Sequence, residues 1–317
     1  MRFAAPALMA GNAVLIKHAP NVTGCALALE ELLGACGMPD DLFRVLVLPE
    51  DRVAAVIEDR RVRGISLTGS CRAGSAVAAV AGRALKKTVL ELGGSDPFIV
   101  LEDADLDKAV ATAVGARFYN GGQTCISAKR FLVHKKVAKA FASAVAHGVS
   151  QLRVGDPQDP HTRIGPLARR DLRDTLERQV NESVRLGARV ALEGGSVDGP
   201  GFYYRPVVLE GVRPGMPVFE EEVFGPVASV TSVEDAAEAL RLANMTRYGL
   251  GASVWTANAA LGRKLADNLE AGAVAVNALL KSDPRLPFGG VKDSGYGREL
   301  GREGLLEFVN VKTLRTP

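Results

Sequence analysis

A cysteine behind a glycine pair and a carboxylate closing an apolar run are the residues of this chain best suited to covalent chemistry. In Gly121-Gly122-Gln123-Thr124-Cys125, the glycines permit a tight turn on which the backbone can approach a ligand. A thiolate there is a strong nucleophile, and the backbone N–H groups that follow could stabilise an oxyanion. The alternative is an inert buried cysteine after a helix, since cysteines outside disulfides are among the most buried residues. Glu91 ends the apolar run before Leu92-Gly93-Gly94. Ligands of parallel α/β sheets bind at the carboxyl ends of strands, so Glu91 could act as a general base toward water. A strand-end acid facing solvent is the competing reading.

Three further segments have binding chemistry. Leu67-Thr68-Gly69-Ser70-Cys71 places a Gly-Ser turn between a strand and a helix, where free N–H groups and the helix dipole suit a diphosphate. It lacks the G-x-G-x-x-G fingerprint, and an N-cap serine explains it equally well. Glu221-Glu222-Val223-Phe224-Gly225-Pro226 is a turn in which Glu222 could hydrogen-bond a ribose diol and Phe224 could pack on a nicotinamide ring. A solvated turn is the alternative. The loop Pro287-Phe288-Gly289-Gly290-Val291-Lys292-Asp293-Ser294-Gly295 is of the kind that shapes concave sites, though many such loops are only connections.

The elements that position these residues alternate. Residues 13–17, 43–48, 64–68 and 87–92 read as strands. Residues 23–36, 53–59 and 73–81 read as the helices between them. Strands separated by helical patterns imply βαβ units and a parallel sheet. Runs without alternation imply strands covered on both faces. Gly93 to Pro97 is a breaker cluster and is placed at a domain boundary. Beyond it, helices are expected at 105–119, 137–152, 168–186, 234–244 and 259–269, with strands at 130–133, 190–193 and 274–277. The expectation is two α/β domains.

Composition excludes several function classes. Of 317 residues, 47% are hydrophobic and 24% charged, with a net charge of +3. That is ordinary globular composition, without the basic excess that draws nucleic acid or membrane surfaces. Cys25, Cys36, Cys71 and Cys125 form no C-x-x-C pair and have no histidine at metal spacing. No metal is expected, and reduced thiols in a cytoplasmic protein are. The first eleven residues read poorly as a secretory signal, and no apolar run is long enough for a membrane span. The opening Met1-Arg2-Phe3-Ala4-Ala5-Pro6 reads as sequence from within a domain.

In order and spacing together, these segments resemble the aldehyde dehydrogenase superfamily. The resemblance spans essentially the whole chain. It rests on Pro6-Ala-Leu-Met-Ala-Gly-Asn12 with Lys17, Leu67-Thr-Gly-Ser70, Glu91-Leu-Gly-Gly94, Gly122-Gln-Thr-Cys125, Glu221-Glu-Val-Phe-Gly-Pro226 and Pro287-Phe-Gly-Gly-Val-Lys-Asp-Ser-Gly295. The separation of Cys125 from Glu91, 125 − 91 = 34 residues, fits as well. Residues 86–100 and 286–300 look most like bacterial NAD(P)-dependent succinate-semialdehyde dehydrogenases. The resemblance implies a Rossmann-type NAD(P)-binding domain over residues 1–93 and an α/β catalytic domain over 94–293. A return helix and oligomerisation strand would follow over 294–317, the strand at 309–314, and the fold would lack its N-terminal part.

The resemblance further implies that Cys125 attacks an aldehyde, giving a thiohemiacetal and then a thioacyl intermediate, and that Glu91 activates the hydrolytic water. Lys17, Gly69, Ser70, Leu92, Gly93, Glu222 and Phe224 would hold NAD or NADP. The partners implied are a small-molecule aldehyde and, in the full-length form, further copies of the chain, with neither nucleic acid nor membrane.

Two departures qualify that picture. The family's Pro-Trp-Asn segment, which supplies an oxyanion-hole asparagine, would precede Met1, so a chain of residues 1–317 is expected to be poorly stable or feebly active. Strictly NAD-dependent relatives often carry a glutamate three residues after the lysine, where this chain has Pro20, so NADP is expected to be tolerated. For a succinate semialdehyde carboxylate, some relatives use an arginine where Tyr119 stands. Arg117, Lys281, Ser282 and Arg285 are the candidate anchors here. A broad-range aldehyde dehydrogenase, or an inactive fragment retaining only cofactor binding, is the alternative function.

Overall fold

The computed structural model describes all 317 residues, and they divide into two compact units. One comprises residues 1–92, 282–289 and 295–317, the other 93–281 and 290–294.

The first unit holds two small sheets. Strand β1 (Val14–Ile16) pairs in parallel with β2 (Phe43–Val45), and helix α1 (Ala4–Met9) closes a core of Ala4, Ala7, Val14 and Phe43. Helix α2 (Thr23–Ala35) connects the strands. Asn12 ties this cluster to the C-terminal segment by donating to the carbonyls of Ala7 and Phe308. After helix α3 (Val53–Glu58) come β3 (Gly64–Thr68), helix α4 (Cys71–Arg83) and β4 (Lys87–Glu91). Strands β3 and β4 are parallel, and the short strand Gly295–Tyr296 runs antiparallel to β4.

Three local expectations change here. The second strand stops at Val45 because its partner β1 has only three residues to pair. Helix α4 starts at Cys71 rather than Ala73, because the Ser70 hydroxyl caps the Ala73 N–H and brings residues 71 and 72 into the first turn. The strand expected at 309–314 is absent. A helix spans Gly301–Leu306, but no backbone edge in the chain pairs with the residues after it, and Val311 and Leu314 are exposed.

The second unit is built on a seven-stranded sheet of β5 (Asp96–Val100), β6 (Ala128–His134), β7 (Arg189–Leu192), β8 (Val207–Glu210), β9 (Val227–Val233), β10 (Gly251–Trp255) and β11 (Ala273–Val276). Their spatial order is β11-β10-β5-β6-β9-β8-β7. All neighbours are parallel except the edge strand β7. Successive residues point to opposite faces, so Phe98, Val100, Phe131 and Val133 enter one core while Ile99 and Leu132 enter the other. Helices α5 (Leu106–Phe118) and α6 (Lys135–Ser150) cover the first face. Helices α7 (Arg170–Arg185), α8 (Ala236–Asn244) and α9 (Ala259–Asn268) cover the second.

Four strands were not legible locally. Pro97 masks β5, because a proline argues against a central strand. The structure accommodates Pro97 at a register shift between Asp96 and Pro97. Strands β8, β9 and β10 are short apolar runs beside Pro- and Gly-containing turns, and their neighbours in the sheet decide their conformation.

Candidate active site

Cys125 follows a turn of unusual backbone. Asn120, Gly121 and Gly122 all adopt left-handed conformations, with φ of 52°, 62° and 73°. Gly122 is required twice over, since a Cβ there would also overlap the Gly225 carbonyl. That close approach is made to the backbone of the Glu221–Pro226 turn and not to a ligand. Asn120 and Gln123 exchange side chain–backbone hydrogen bonds, and the Gln123 carboxamide oxygen accepts from the Ala168 N–H at 2.9 Å. Cys125 itself is half-buried.

Two buried cations, Arg117 and Lys129, hold this turn. Arg117 is fully buried. Its guanidinium donates to the carbonyls of Gly122, Val223, Gly225 and Val227 and to the Ser127 hydroxyl. Every arm of the group is engaged, so Arg117 is not a substrate anchor. It is a clamp between the cysteine turn and the Glu221–Pro226 turn. Lys129, on β6, was not singled out at all. Its ammonium is fully buried and donates to the carbonyls of Thr124 at 3.0 Å and Cys125 at 2.8 Å. It stands 3.7 Å from Glu222 Oε1. Burial pushes its pKa down, opposed by the nearby charges of Glu222 and Asp96. A Lys-Arg pair inside an apolar strand was the available signal, because charge there must be paired within the fold. Arg130 follows the same rule, donating to the carbonyls of Ser95, Leu242 and Ala243.

Glu222 accepts the Gly94 N–H at 3.1 Å. It presses against Gly93, where any Cβ would overlap its carboxylate. Phe224 is half-buried beside it in sequence. Ser294, fully buried, links the glycine-rich loop to this region: its hydroxyl donates to the Gly93 carbonyl at 2.6 Å and accepts the Gly249 N–H at 3.0 Å. Asp96 is buried with Oδ1 accepting from Gly251 N–H, and burial pushes its pKa up to about 7 against the pull of Lys129.

In the other unit, Glu91 is 2% exposed and neither carboxylate oxygen has a hydrogen-bond partner. Burial pushes its pKa up to about 8. Glu299 adds to the rise, and Arg2 and Arg298 oppose it. A carboxyl with so high a pKa is a base poised near neutrality rather than a spent anion. The Gly69 N–H donates to the Glu91 backbone carbonyl, which joins the ends of β3 and β4. Ser70 caps α4 by accepting the Ala73 N–H, which sets the Gly69–Ser70 turn at the helix N-terminus. The Lys17 ammonium, just past β1, has no hydrogen-bond or ion-pair partner in the protein. These residues fit a dinucleotide phosphate and ribose. The Leu92 side chain is buried against Gly74, so only its backbone is available to a ligand.

The candidate anchors differ in state. Arg285 is exposed and already in a two-point ion pair with Asp283. Lys281 is exposed and Ser282 half-buried.

Residues 1–314 match the aldehyde dehydrogenase family. Over 313 residues the chain is 49% identical to the NADP(+) succinate-semialdehyde dehydrogenase 1 of Mycobacterium ulcerans (strain Agy99), covering 99% of this chain and 68% of that relative. It is 48% identical over 314 residues to the NAD(P)+ succinate semialdehyde dehydrogenase Sad of Escherichia coli (strain K12), with 99% and 68% covered. The crystal structure of succinic semialdehyde dehydrogenase from Streptococcus pyogenes with NADP+ superposes with a TM-score of 0.96 at 37% identity. That match covers 100% of this chain and 70% of that one. The chain therefore spans about two thirds of the length of these relatives. On the match over residues 1–314 and the identity to these relatives, the chain belongs to the aldehyde dehydrogenase family.

Proposed function

We propose that the chain oxidises succinate semialdehyde to the carboxylic acid with NAD(P)+, through a covalent thioacyl intermediate on Cys125. One observation carries the hydrolytic reading: Glu91 is a buried carboxyl with both oxygens unpartnered and a pKa raised to about 8. A buried acid without partners is costly, and retention as a general base accounts for it. Family membership and the names of the relatives support the substrate.

In this proposal the Cys125 thiolate adds to the aldehyde carbon, and the Cys125 backbone N–H donates to the oxyanion of the resulting thiohemiacetal. The bound nicotinamide supplies the acceptor for the hydride that leaves that carbon. Glu91 takes a proton from water as the water attacks the thioester, releasing the acid and regenerating the thiol. Lys17 and Glu222 would hold the riboses, the Gly69–Ser70 turn the diphosphate, and Phe224 the nicotinamide. The backbone at Leu92 and Gly93 would line the same ligand. Glu222 would have to share its carboxylate between the ribose and Gly94 N–H.

Lys281, Ser282 and Arg285 are the proposed anchors for the substrate carboxylate, with Arg285 required to leave Asp283 to serve. If Lys281→Ala and Arg285→Ala leave the KM for succinate semialdehyde unchanged, the anchor lies elsewhere.

The decisive experiment follows the protein mass during turnover. Glu91→Gln is expected to accumulate an acyl adduct on Cys125, and Cys125→Ser to abolish both adduct and turnover. A Glu91→Gln chain that turned over at the parent rate would overturn the hydrolytic role.

A further inference from the structure

We propose that Lys129 is a positioning residue that activates the Cys125 nucleophile, by fixing and polarising the peptide groups on both sides of it and by placing a positive charge behind the thiolate. The proposal rests on the reading of Cys125 as nucleophile.

Lys129 lies four residues after Cys125 and its side chain turns back along the chain, so that one ammonium donates to the carbonyls of Thr124 and Cys125. The Thr124 carbonyl belongs to the same amide as the Cys125 N–H, the donor assigned to the oxyanion. A cation on the oxygen of an amide strengthens its N–H as a donor, because hydrogen bonds polarise one another in a low-dielectric interior. Holding both carbonyls also fixes the plane of the peptides that aim the cysteine.

The charges around this ammonium are few. Glu222 faces it from the Glu221–Pro226 turn, Asp96 from the start of β5 and Arg117 from α5, with the Cys125 thiolate on its own segment. Neither carboxylate is in direct hydrogen-bond contact with Lys129: the shorter ion-pair distance is 3.7 Å to Glu222, and Asp96 Oδ1 is committed to Gly251. The ammonium makes no direct hydrogen bond to a carboxylate, and in its charged form it favours a nearby thiolate, against the burial that pushes its own pKa down. Lys129 also links the nucleophile to Glu222, the carboxylate proposed for the cofactor ribose.

The test is the pH dependence of Cys125 alkylation by iodoacetamide on the purified chain, followed on the Cys125 peptide by mass spectrometry so that Cys25, Cys36 and Cys71 do not contribute. Lys129→Gln and Lys129→Met are expected to move the midpoint to higher pH and to slow alkylation at pH 7 about tenfold. Lys129→Arg keeps the charge and is expected to keep the parent midpoint. A Lys129→Met profile that superimposed on the parent's would overturn the proposal. Where the Lys129 variants fail to fold, Glu222→Gln reads the same balance from the opposite side. Its midpoint is expected at lower pH, and an unchanged or raised midpoint overturns the proposal. Alkylation needs neither aldehyde nor cofactor, so its failure sinks the Lys129 role alone, whereas aldehyde turnover by Cys125→Ser would sink the reading beneath it.

Discussion

Arg117 Nη2 donates to the Gly225 carbonyl oxygen at 2.6 Å, joining helix α5 to a turn 108 residues downstream. The same guanidinium reaches Gly122 on the cysteine side, so one buried side chain sets the spacing between two segments that the chemistry needs together. Arg117→Met should take the guanidinium donor from four carbonyls, of which Gly225 keeps the Val227 N–H. A loss of about 3 kcal/mol or more is expected, read as a lower midpoint in urea unfolding. A midpoint within experimental error of the parent's would mean that water replaces the guanidinium without cost.

The two glycines of the cysteine turn should separate cleanly. Both have positive φ, and that strain alone costs an alanine about 1–2 kcal/mol. Around Gly121 the nearest atom to an added Cβ lies at 3.5 Å, whereas at Gly122 the Cβ would overlap the Gly225 carbonyl. Gly121→Ala is therefore expected to fold with a modest loss of stability. Gly122→Ala is expected to lose the turn and with it the reactivity of Cys125. Equal thermal midpoints for the two variants would contradict this packing.

Glu91 should give opposite pH signatures in activity and in stability. Its pKa is raised to about 8 in the folded chain, first by burial and then by Glu299. As a base it functions when ionised, so the hydrolytic rate should rise with pH through about 8, and Glu91→Gln should abolish that rise. As a folded-state group it binds a proton that the unfolded chain releases above its ordinary value. Its contribution is thus fully present at low pH and is lost as pH rises from the ordinary glutamate range through about 8. Glu91→Gln should accordingly be the more stable chain at pH 8, by on the order of 2 kcal/mol, with little difference at pH 4. Melting curves at both pH values decide it.

Cofactor choice should lean away from strict NAD use. Lys17 has no protein partner and Pro20 brings no acid to repel a 2′-phosphate. Comparable kcat/KM for NADP and NAD is expected, with Lys17→Ala losing about 10- to 100-fold more with NADP, the scale of one charge-assisted hydrogen bond. A preference for NAD above a hundredfold would rule this out.

The sequence by itself singled out the candidate parts: Cys125, Glu91, the Gly69–Ser70 turn and the Glu222–Phe224 turn, with the βαβ grammar that carries them. These are local facts, since caps, breakers and residue types are written in a few neighbouring positions. Only the tertiary structure decided what Arg117 and Lys129 are. On a sequence each is one cation among thirty-nine, and an arginine near a nucleophile looks like a substrate anchor. Once buried, each must find acceptors, and the acceptors within reach are the carbonyls of the cysteine turn and its neighbour. The same logic hid strands β8, β9 and β10, whose apolar runs become strands because neighbouring strands satisfy their backbone. Residues 309–314 form no strand within the chain, which offers them no neighbouring edge. Burial and pairing are non-local, so no short run of neighbouring residues encodes them.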